Sequence, residues 1–297
     1  MDVTRTPHER FAALPDFPFV PRYREWEGLR LAHVDAGSGS TVVLLHGEPT
    51  WSFLWRKVMR PLLDAGHRCV APDLPGFGRS DKPNEAAWYT YDRLCRAFAS
   101  LFDDLDLRDV TLVVHDWGGP IGLRVAATLR PEHISRIVAM DTGLFTGEQR
   151  MSDGWMVFRD FVARTHDLPI GMLVERGCKT PPEREVIAAY EAPFPTPESK
   201  TGARRLPMLI PLSPNDPGAA EGREAVRALR GDTRPSLLLW ADSDPALPLD
   251  PAGRQVQTLL PTAAPLTVIE NAGHFLQEDS GERIGSLIVD WLAGDGA

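Results

Sequence analysis

Three side chains that could carry out nucleophilic catalysis lie just after short apolar segments of the chain. Asp116 lies in VVHDWGG, Asp244 in WADSDPALP and His274 in ENAGHFLQED. A carboxylate can attack an electrophilic carbon, an imidazole can activate water, and a second carboxylate can orient the imidazole. Nucleophile, acid and histidine follow one another along the chain in an order that such triads use.

Asp116 is the candidate nucleophile. Displacement at a saturated carbon by a serine alkoxide would leave an ether, which water does not readily cleave, whereas a carboxylate leaves an ester that a general base can hydrolyse. The small residues Gly118 and Gly119 permit a sharp turn from strand to helix behind the carboxylate. The alternative interpretation is that Asp116 only caps the helix that follows.

His274 is the candidate base because it directly follows the last apolar segment, LTVIENAG at 266–273. Two other histidines also lie near strand ends. His46 begins a turn and His115 points away from Asp116 along the strand, so we expect both to make structural hydrogen bonds. A structural role is the alternative for His274 as well.

Two aspartates compete as the acid that orients the base. Asp244 follows the segment SLLLWAD and gives the chain order of nucleophile, acid and histidine. Asp141, in VAMDTG, ends the preceding apolar segment and could also reach the imidazole. We expect Asp242 to cap the turn. The sequence favours Asp244 and leaves Asp141 open.

The elements that must position these residues alternate between apolar, β-branched segments and helical patterns. Segments that are apolar on both faces and are separated by helices predict a parallel sheet covered on both sides, which is an α/β fold. Ligands of such sheets bind at the carboxyl ends of the strands, where the candidate residues fall. The predicted strands are 41–47, 68–73, 110–116, 136–141, 236–242 and 266–273, and the predicted sheet-packing helices are 52–65, 91–106, 119–130 and 283–292.

This alternation stops between about 145 and 217. Ten of the 27 prolines fall between Pro169 and Pro217, and helical patterns cover roughly 152–166, 183–191 and 199–210. A proline-rich helical insert between two strands of one sheet predicts a cap over the carboxyl edge. We therefore expect a core domain of residues 1–144 and 216–297 and a helical cap of residues 145–215. A separate domain is the alternative, and it is disfavoured because the segment is short.

Composition narrows the classes of function. The net charge of −9 with interspersed basic and acidic residues argues against nucleic-acid and membrane partners. The three cysteines are far apart and form no CxxC, so neither disulfides nor a zinc site is indicated. The polar start of the chain does not match a signal peptide, and no run of apolar residues is long enough to span a membrane. We expect a cytoplasmic, monomeric protein.

Several motifs together resemble those of haloalkane dehalogenases in the α/β-hydrolase superfamily. The resemblance covers nearly the whole chain, beginning with MDVTRTPHERF. The stretch APDLPGFGRSDKP is typical of the superfamily, whereas HGEPTW together with DWGG is more specific and indicates the subfamily whose acid follows the strand at 236–240. The motifs are HGEPTWSFLWRKV at 46–58, APDLPGFGRSDKP at 71–83, VVHDWGG at 113–119, YEAPFP at 190–195 and NAGHFLQEDS at 271–280.

The resemblance implies that a carbon–halogen bond is hydrolysed in two steps. Asp116 would displace halide, and His274, oriented by Asp244, would activate water against the resulting ester. The backbone N–H groups of Glu48 and Trp117 would form the oxyanion hole for the second step. The substrate would be a small apolar halogenated molecule, and no cofactor or metal is implied.

The halide-binding tryptophans are where this sequence departs from the family pattern. Trp117 matches the first of them, and an indole N–H is a donor that brings no negative charge. The second is expected where this chain has Phe158, whereas Trp155 lies three residues earlier, where the family often has Phe. Residues three apart share one face of a helix, so Trp155 could present its N–H from one turn away.

Three other functions are compatible with parts of this pattern. An epoxide hydrolase has the same nucleophile and base but usually uses a pair of cap tyrosines, and only Tyr190 falls in the predicted cap. A fluoroacetate dehalogenase would have an arginine where this chain has Trp117. A catalytically silent fold used for binding is the non-enzymatic alternative.

Overall fold

The structure is a computed structural model that describes residues 2–263 and 265–294. The strands are β1 (Val3–Thr4), β2 (Arg22–Trp26), β3 (Leu29–Ala36), β4 (Thr41–Leu45), β5 (Arg68–Pro72), β6 (Lys82–Pro83), β7 (Val110–Asp116), β8 (Ile134–Thr142), β9 (Ser236–Ala241) and β10 (Thr267–Ile269). The α-helices are α1 (Arg56–Asp64), α2 (Tyr91–Asp104), α3 (Gly118–Arg124), α4 (Asp153–Arg164), α5 (Ile170–Gly177), α6 (Arg184–Glu191), α7 (Thr201–Arg205), α8 (Ala219–Leu229), α9 (Arg254–Leu259) and α10 (Leu276–Gly294).

Eight strands form one central sheet in the order β10-β9-β8-β7-β4-β5-β3-β2. The neighbours from β10 to β5 are parallel, whereas β3 pairs antiparallel with β5 and with β2. Every residue of β9 is buried, and so is every residue of β7 before Asp116, because helices cover both faces of the sheet. This arrangement confirms the predicted α/β-hydrolase fold with a mostly parallel sheet.

The antiparallel edge was not predicted. β2 has the sequence RYREW, and all of its residues are exposed or half-buried. An edge strand of this kind does not have the continuous apolar run by which the parallel strands were found. The two-residue strands β1 and β6 pair outside the central sheet and give even less signal.

The segment predicted as a cap, 145–215, contains α4, α5, α6 and α7. Helix α5 was missed, because Pro169 and Gly171 interrupt the helical pattern at its start. The predicted helix at 199–210 is shorter in the structure: α7 is flanked by 3₁₀ turns at Glu198–Lys200 and Leu206–Leu209, the second of which contains Pro207. The division into a core and a cap at these boundaries stays a proposal.

A buried charged network joins this segment to the rest of the chain. Glu278, on α10, is paired with Arg56 of α1 through two hydrogen bonds, of which the one to Oε2 is 2.8 Å long. The Tyr190 hydroxyl, at the end of α6, donates to the same carboxylate, and the Lys57 ammonium donates to the Glu278 carbonyl oxygen at 2.6 Å. Glu278, four residues after His274, thereby links α10 to α1 and α6.

Candidate active site

Asp116 occupies a strained turn between β7 and α3. Its φ is +48°, in the left-handed region that non-glycine residues rarely adopt. A Cβ on Gly47 would lie 2.1 Å from Asp116 Oδ1, and a Cβ on Gly118 would lie 2.2 Å from the Leu45 carbonyl oxygen. The Thr142 hydroxyl donates to the Asp116 carbonyl oxygen at 2.6 Å. Glycines on both sides therefore let neighbouring backbone approach while the aspartate is held at the end of the strand.

The structure brings Asp116, His274 and Asp244 together. His274 Nε2 lies 3.5 Å from Asp116 Oδ2, and His274 Nδ1 lies 2.8 Å from Asp244 Oδ2. The other oxygen of Asp244 accepts hydrogen bonds from the backbone N–H groups of Ala246 and Leu247 at 2.7 and 3.0 Å. The Asp244 carboxylate is thus held in place, and its hydrogen bond holds the His274 imidazole in place.

The charges of these three groups are strongly coupled. Burial alone would raise the pKa of Asp244, but the positive charge of His274 and its hydrogen bond lower it to about 2. Burial would likewise lower the pKa of His274, but Asp244 and Asp116 together raise it well above its usual value. The pKa of Asp116 is lowered because the hydrogen bond and charge of His274 outweigh its burial. Both carboxylates therefore favour the protonated form of the imidazole.

Asp141, the competing acid, lies behind Asp244. It is fully buried, accepts hydrogen bonds from the Ala241 N–H at 3.2 and 3.3 Å, and shares a hydrogen bond with the Asp244 carboxyl group. Burial, followed by the negative charge of Asp244, raises its pKa well above the usual range. Asp141 is therefore protonated, and it supports Asp244 while Asp244 contacts the imidazole.

The other singled-out polar residues make structural hydrogen bonds. His46 Nε2 accepts from the Leu74 N–H at 3.0 Å, and His115 Nε2 lies 2.7 Å from the His274 carbonyl oxygen. Burial lowers the pKa of His115 to about 3, so its ring is neutral and Nε2 donates to that carbonyl. Asp242 accepts from the Asn271 N–H at 2.9 Å, as expected for a turn cap.

Two backbone N–H groups point at the Asp116 carboxylate. The Glu48 N–H donates to Oδ1 at 2.6 Å, and the backbone of Trp117 makes a second hydrogen bond to the carboxylate. These donors face the place where negative charge would develop if the Asp116 carboxyl carbon became tetrahedral.

The Glu48 side chain is a feature that sequence reasoning missed. It is buried in the wall of the same cavity as Asp116, and its Oε1 has no hydrogen-bond partner among residues 2–263 and 265–294. Burial and the neighbouring Asp116 charge raise its pKa well above the usual value. The carboxyl group is therefore neutral and places no second negative charge beside the nucleophile. The sequence motif HGEPTW does not predict that the Glu48 carboxyl group is neutral.

A cavity of 530 Å³ opens onto Asp116 and His274. Its wall is mostly apolar, with Trp117, Phe145 and Leu173 among the side chains that form it. Such a volume is typical of sites for small organic molecules. A wider groove of 780 Å³ lies alongside and shares Phe145 and Trp155, but it is lined by neither Asp116 nor His274. The smaller cavity is thus the one that brings a ligand to the candidate nucleophile.

Trp155 and Phe158 both line this cavity, together with Trp117. The Trp117 side chain is buried against Phe145, with ring centroids 6.3 Å apart. Trp155 also reaches the wider groove, so its indole lies between the two openings. The side chains predicted to surround the halide, those of Trp117, Trp155 and Phe158, therefore all belong to residues of the cavity wall. Arg176, which sequence reasoning did not single out, is exposed where it borders the cavity.

The chain is similar to proteins of one family throughout its length. A family model described as "alpha/beta hydrolase fold" matches residues 40–281. The chain is 42% identical over 303 residues to a haloalkane dehalogenase of Psychrobacter cryohalolentis, covering 98% of each chain. It is 43% identical over 302 residues to a haloalkane dehalogenase of Mycobacterium marinum, covering 98% of this chain and 100% of that one.

Solved structures give the same result. The haloalkane dehalogenase DpaA of Paraglaciecola agarilytica NO2, described as tetrameric, superposes with a TM-score of 0.90 at 34% identity, covering 97% of each chain. The haloalkane dehalogenase DatA of Agrobacterium tumefaciens C58 superposes with a TM-score of 0.80 at 28% identity, covering 97% of this chain and 99% of that one.

Proposed function

Because this chain belongs to the haloalkane dehalogenases, hydrolases of the α/β-hydrolase fold that act on carbon–halide bonds, we propose that Asp116, His274 and Asp244 carry the reaction. The observation that supports this assignment is the position of the His274 imidazole, 3.5 Å from the Asp116 carboxylate and 2.8 Å from the Asp244 carboxylate. The acid is Asp244 rather than Asp141, since only Asp244 bonds the imidazole.

In the first step, an oxygen of Asp116 attacks the carbon that bears the halogen. The carbon–halogen bond breaks, halide leaves with the bonding electron pair, and an alkyl ester of Asp116 forms. The lowered pKa of Asp116 keeps the carboxylate ionised for this attack. The neutral state of Glu48 helps, because a second negative charge would repel the departing halide.

Formation of the ester prepares the base for the second step. The charge of Asp116 and its hydrogen bond are two of the influences that hold the pKa of His274 high. Alkylation removes that charge, so the pKa of His274 falls and the imidazole can lose its proton. Asp244 remains ionised and keeps the ring oriented.

In the second step, His274 takes a proton from water and the resulting hydroxide adds to the Asp116 carboxyl carbon. The N–H groups of Glu48 and Trp117 stabilise the oxyanion that develops. The alcohol then leaves, taking the proton back from His274. The balance is one haloalkane and one water converted to one alcohol, one halide and one proton, so no cofactor or metal takes part.

Two indoles are proposed to bind the halide. Trp117 lies next to the nucleophile, and Trp155 lines the same cavity, so their indole N–H groups are the candidate donors. Phe158 has no donor and would contribute apolar wall, although it occupies the position where the family pattern has tryptophan. Indoles suit halide because they donate without adding negative charge and keep the pocket apolar.

Epoxide hydrolysis has less support. Tyr190, the tyrosine in the predicted cap, is buried and donates to Glu278. Within the described part of the chain, no tyrosine lines the catalytic cavity, so no phenol is placed to protonate an epoxide oxygen.

The reaction class is tested by incubating the protein with 1-bromobutane and measuring bromide release, and with styrene oxide and measuring diol. We expect bromide release that Asp116→Ala abolishes, and no diol. Diol without bromide would assign the protein to the epoxide hydrolases. Neither product would indicate a silent fold.

We also propose the oligomeric state and the cellular location of the enzyme. All residues assigned to the reaction come from one chain, which supports a monomer; light scattering tests this against an assembly such as the tetramer described for DpaA. Cys69, Cys95 and Cys178 are free thiols, which supports a reducing, cytoplasmic location. Over residues 2–263 and 265–294, the helices are too short or too polar to cross a membrane.

A further inference from the structure

A further cavity, of 600 Å³, lies where three distant parts of the chain meet. The N-terminal segment contributes Arg5 and His8, the antiparallel edge of the sheet contributes Tyr23 and Arg30, and the turn between β5 and β6 contributes Arg79. This cavity shares no lining residue with the catalytic cavity. Three guanidinium groups around one cavity make it electropositive in an otherwise acidic protein.

Arg79 is the buried member of this group. The residue is only 6% exposed, and its Nε and Nη1 have no hydrogen-bond partner in the described chain. The guanidinium carbon lies 5.0 Å from the ring centroid of Phe11 and 5.3 Å from that of Trp51. Aromatic faces stabilise the cation only in part, and a buried charge usually requires a bonded counterion.

The two buried acidic residues nearby, Asp81 and Asp73, are already engaged. The Asp81 carboxylate forms two hydrogen bonds with Arg5, of 2.7 and 2.8 Å, and accepts the Arg30 N–H at 2.8 Å. The Asp73 carboxylate accepts the backbone N–H groups of Ser52 and Arg79, both at 2.8 Å. Neither carboxylate forms a hydrogen bond with the Arg79 or Arg30 guanidinium in the described structure.

Arg30 provides the second available cation. Its guanidinium carbon lies 4.3 Å above the Tyr23 ring, and its Nε also has no partner among the described residues. With Arg5 neutralised by Asp81, the wall retains the charges of Arg30 and Arg79. Arginine presents its donors in a planar fork that matches the oxygens of phosphate or carboxylate.

We propose that this cavity binds a small oxyanion, of the phosphate class, between Arg79 and Arg30. The anion would supply the counterion that the buried Arg79 guanidinium does not have within the protein. It would also link the N-terminal segment to the sheet edge and the β5–β6 turn, because all three line the cavity. The N-terminal segment is already attached further along, where the Thr6 hydroxyl donates to the Pro193 carbonyl oxygen at 2.6 Å.

The test is a titration of the full chain with inorganic phosphate, against sodium chloride at matched ionic strength. A ligand that binds only the folded state raises the Tm, by about 2–4 °C at ten times its Kd for a chain of this size. We expect a saturable rise with phosphate, measured together with Kd by calorimetry. A parallel titration with glycerol 3-phosphate shows whether the cavity prefers an organic phosphomonoester to the free ion.

Variants assign the binding to the cavity. Arg79→Met and Arg30→Met should each weaken phosphate binding at least tenfold, about the effect of losing one hydrogen bond to a charged group. Arg22→Met is the matched control: it removes the same charge from neighbouring β2, but Arg22 pairs with Asp35 and does not line the cavity. The readout is the phosphate-dependent change, so a lower starting Tm does not affect it. If Arg79→Met fails to fold, the phosphate affinities of Arg30→Met and Arg79→Lys decide whether the phosphate binds in this cavity.

Hydrogen exchange provides an independent readout. Bound phosphate should slow amide exchange in residues 5–11 of the wild-type protein and not in Arg30→Met. Equal stabilisation by phosphate and chloride, or unchanged phosphate affinity in both methionine variants, would overturn the proposal. None of these measurements requires turnover, so the result is separate from the test of the dehalogenase mechanism.

Discussion

The buried carboxyl group of Asp141 lies against that of Asp244, which bonds the His274 imidazole at 2.8 Å. Asp244 is ionised, with its pKa lowered to about 2, whereas the pKa of Asp141 is raised well above the usual range. Two acids in one pocket thus have opposite protonation states. The ionised one bonds the imidazole, and the neutral one donates its proton to that carboxylate.

The first prediction concerns these two aspartates. Asp244→Asn should lower kcat by at least about a hundredfold, because an amide neither stabilises the imidazolium nor holds the tautomer. Asp141→Asn should keep kcat within a few-fold, since the amide N–H₂ replaces the donor to Asp244. Bromide release from 1-bromobutane measures both. The reverse ranking would transfer the role of the acid to Asp141.

The second prediction concerns stability and pH. A carboxyl group with a raised pKa in the folded state stabilises the protein below its unfolded pKa, and this contribution is lost as the pH rises. Asp141→Asn should remove that loss, so the variant should be more stable than the wild type, by a margin that is larger at pH 8 than at pH 5. Urea denaturation at both pH values measures the difference. An advantage that does not grow with pH would contradict the neutral state of Asp141.

The third prediction concerns the covalent intermediate. His274→Gln should still be alkylated but should not hydrolyse the ester, because glutamine cannot take a proton from water. The intact mass of this variant should increase by one butyl group after incubation with 1-bromobutane, and peptide mapping should locate the group on Asp116. The double variant with Asp116→Asn serves as the control. An unmodified His274→Gln protein would contradict the proposed nucleophile.

The fourth prediction concerns the halide. Trp155→Phe removes an indole N–H and retains an aromatic side chain, so bromide affinity should fall about tenfold, the effect of losing one hydrogen bond to a charged group. Trp117→Phe should cause a similar or larger loss. Quenching of tryptophan fluorescence by bromide measures both. Since Phe158 contributes no donor, Phe158→Leu is the matched control and should leave bromide affinity within about twofold.

Much of the fold was predictable because its central strands are buried on both faces. β7 and β9 are rich in apolar residues and are buried almost throughout, and their carboxyl ends locate Asp116 and Asp244. The antiparallel strand β2 was missed because it is polar and lies at the sheet edge. Helix α5 was missed because its first turn contains Gly171 and follows Pro169. The pattern of apolar residues along the chain reflects burial, so helices and strands at the periphery are harder to predict from the sequence.

The candidate site was only partly predictable for a related reason. Residue type and position at a strand end single out Asp116 and His274, but protonation depends on packing. The neutral states of Glu48 and Asp141 arise from burial beside another carboxylate, which no local pattern encodes. The sequence leaves open whether Trp155 or Phe158 lines the cavity, because this depends on tertiary structure, and both do.

The network around Glu278 restricts how substrates gain entry. Swinging the helices above the sheet outward as one lid would separate the Tyr190 hydroxyl from the buried Glu278 carboxylate, whereas Arg56 and Glu278, on α1 and α10, would stay paired. Losing a hydrogen bond to a charged group of this kind costs about 1.5–3 kcal/mol. Small shifts of α4, whose Val157 is 70% exposed at the rim of the cavity, break no bond of this kind. Movement of α4 alone, which breaks no such bond among the described residues, therefore gives haloalkane, alcohol and halide a less costly route than movement of all the helices above the sheet.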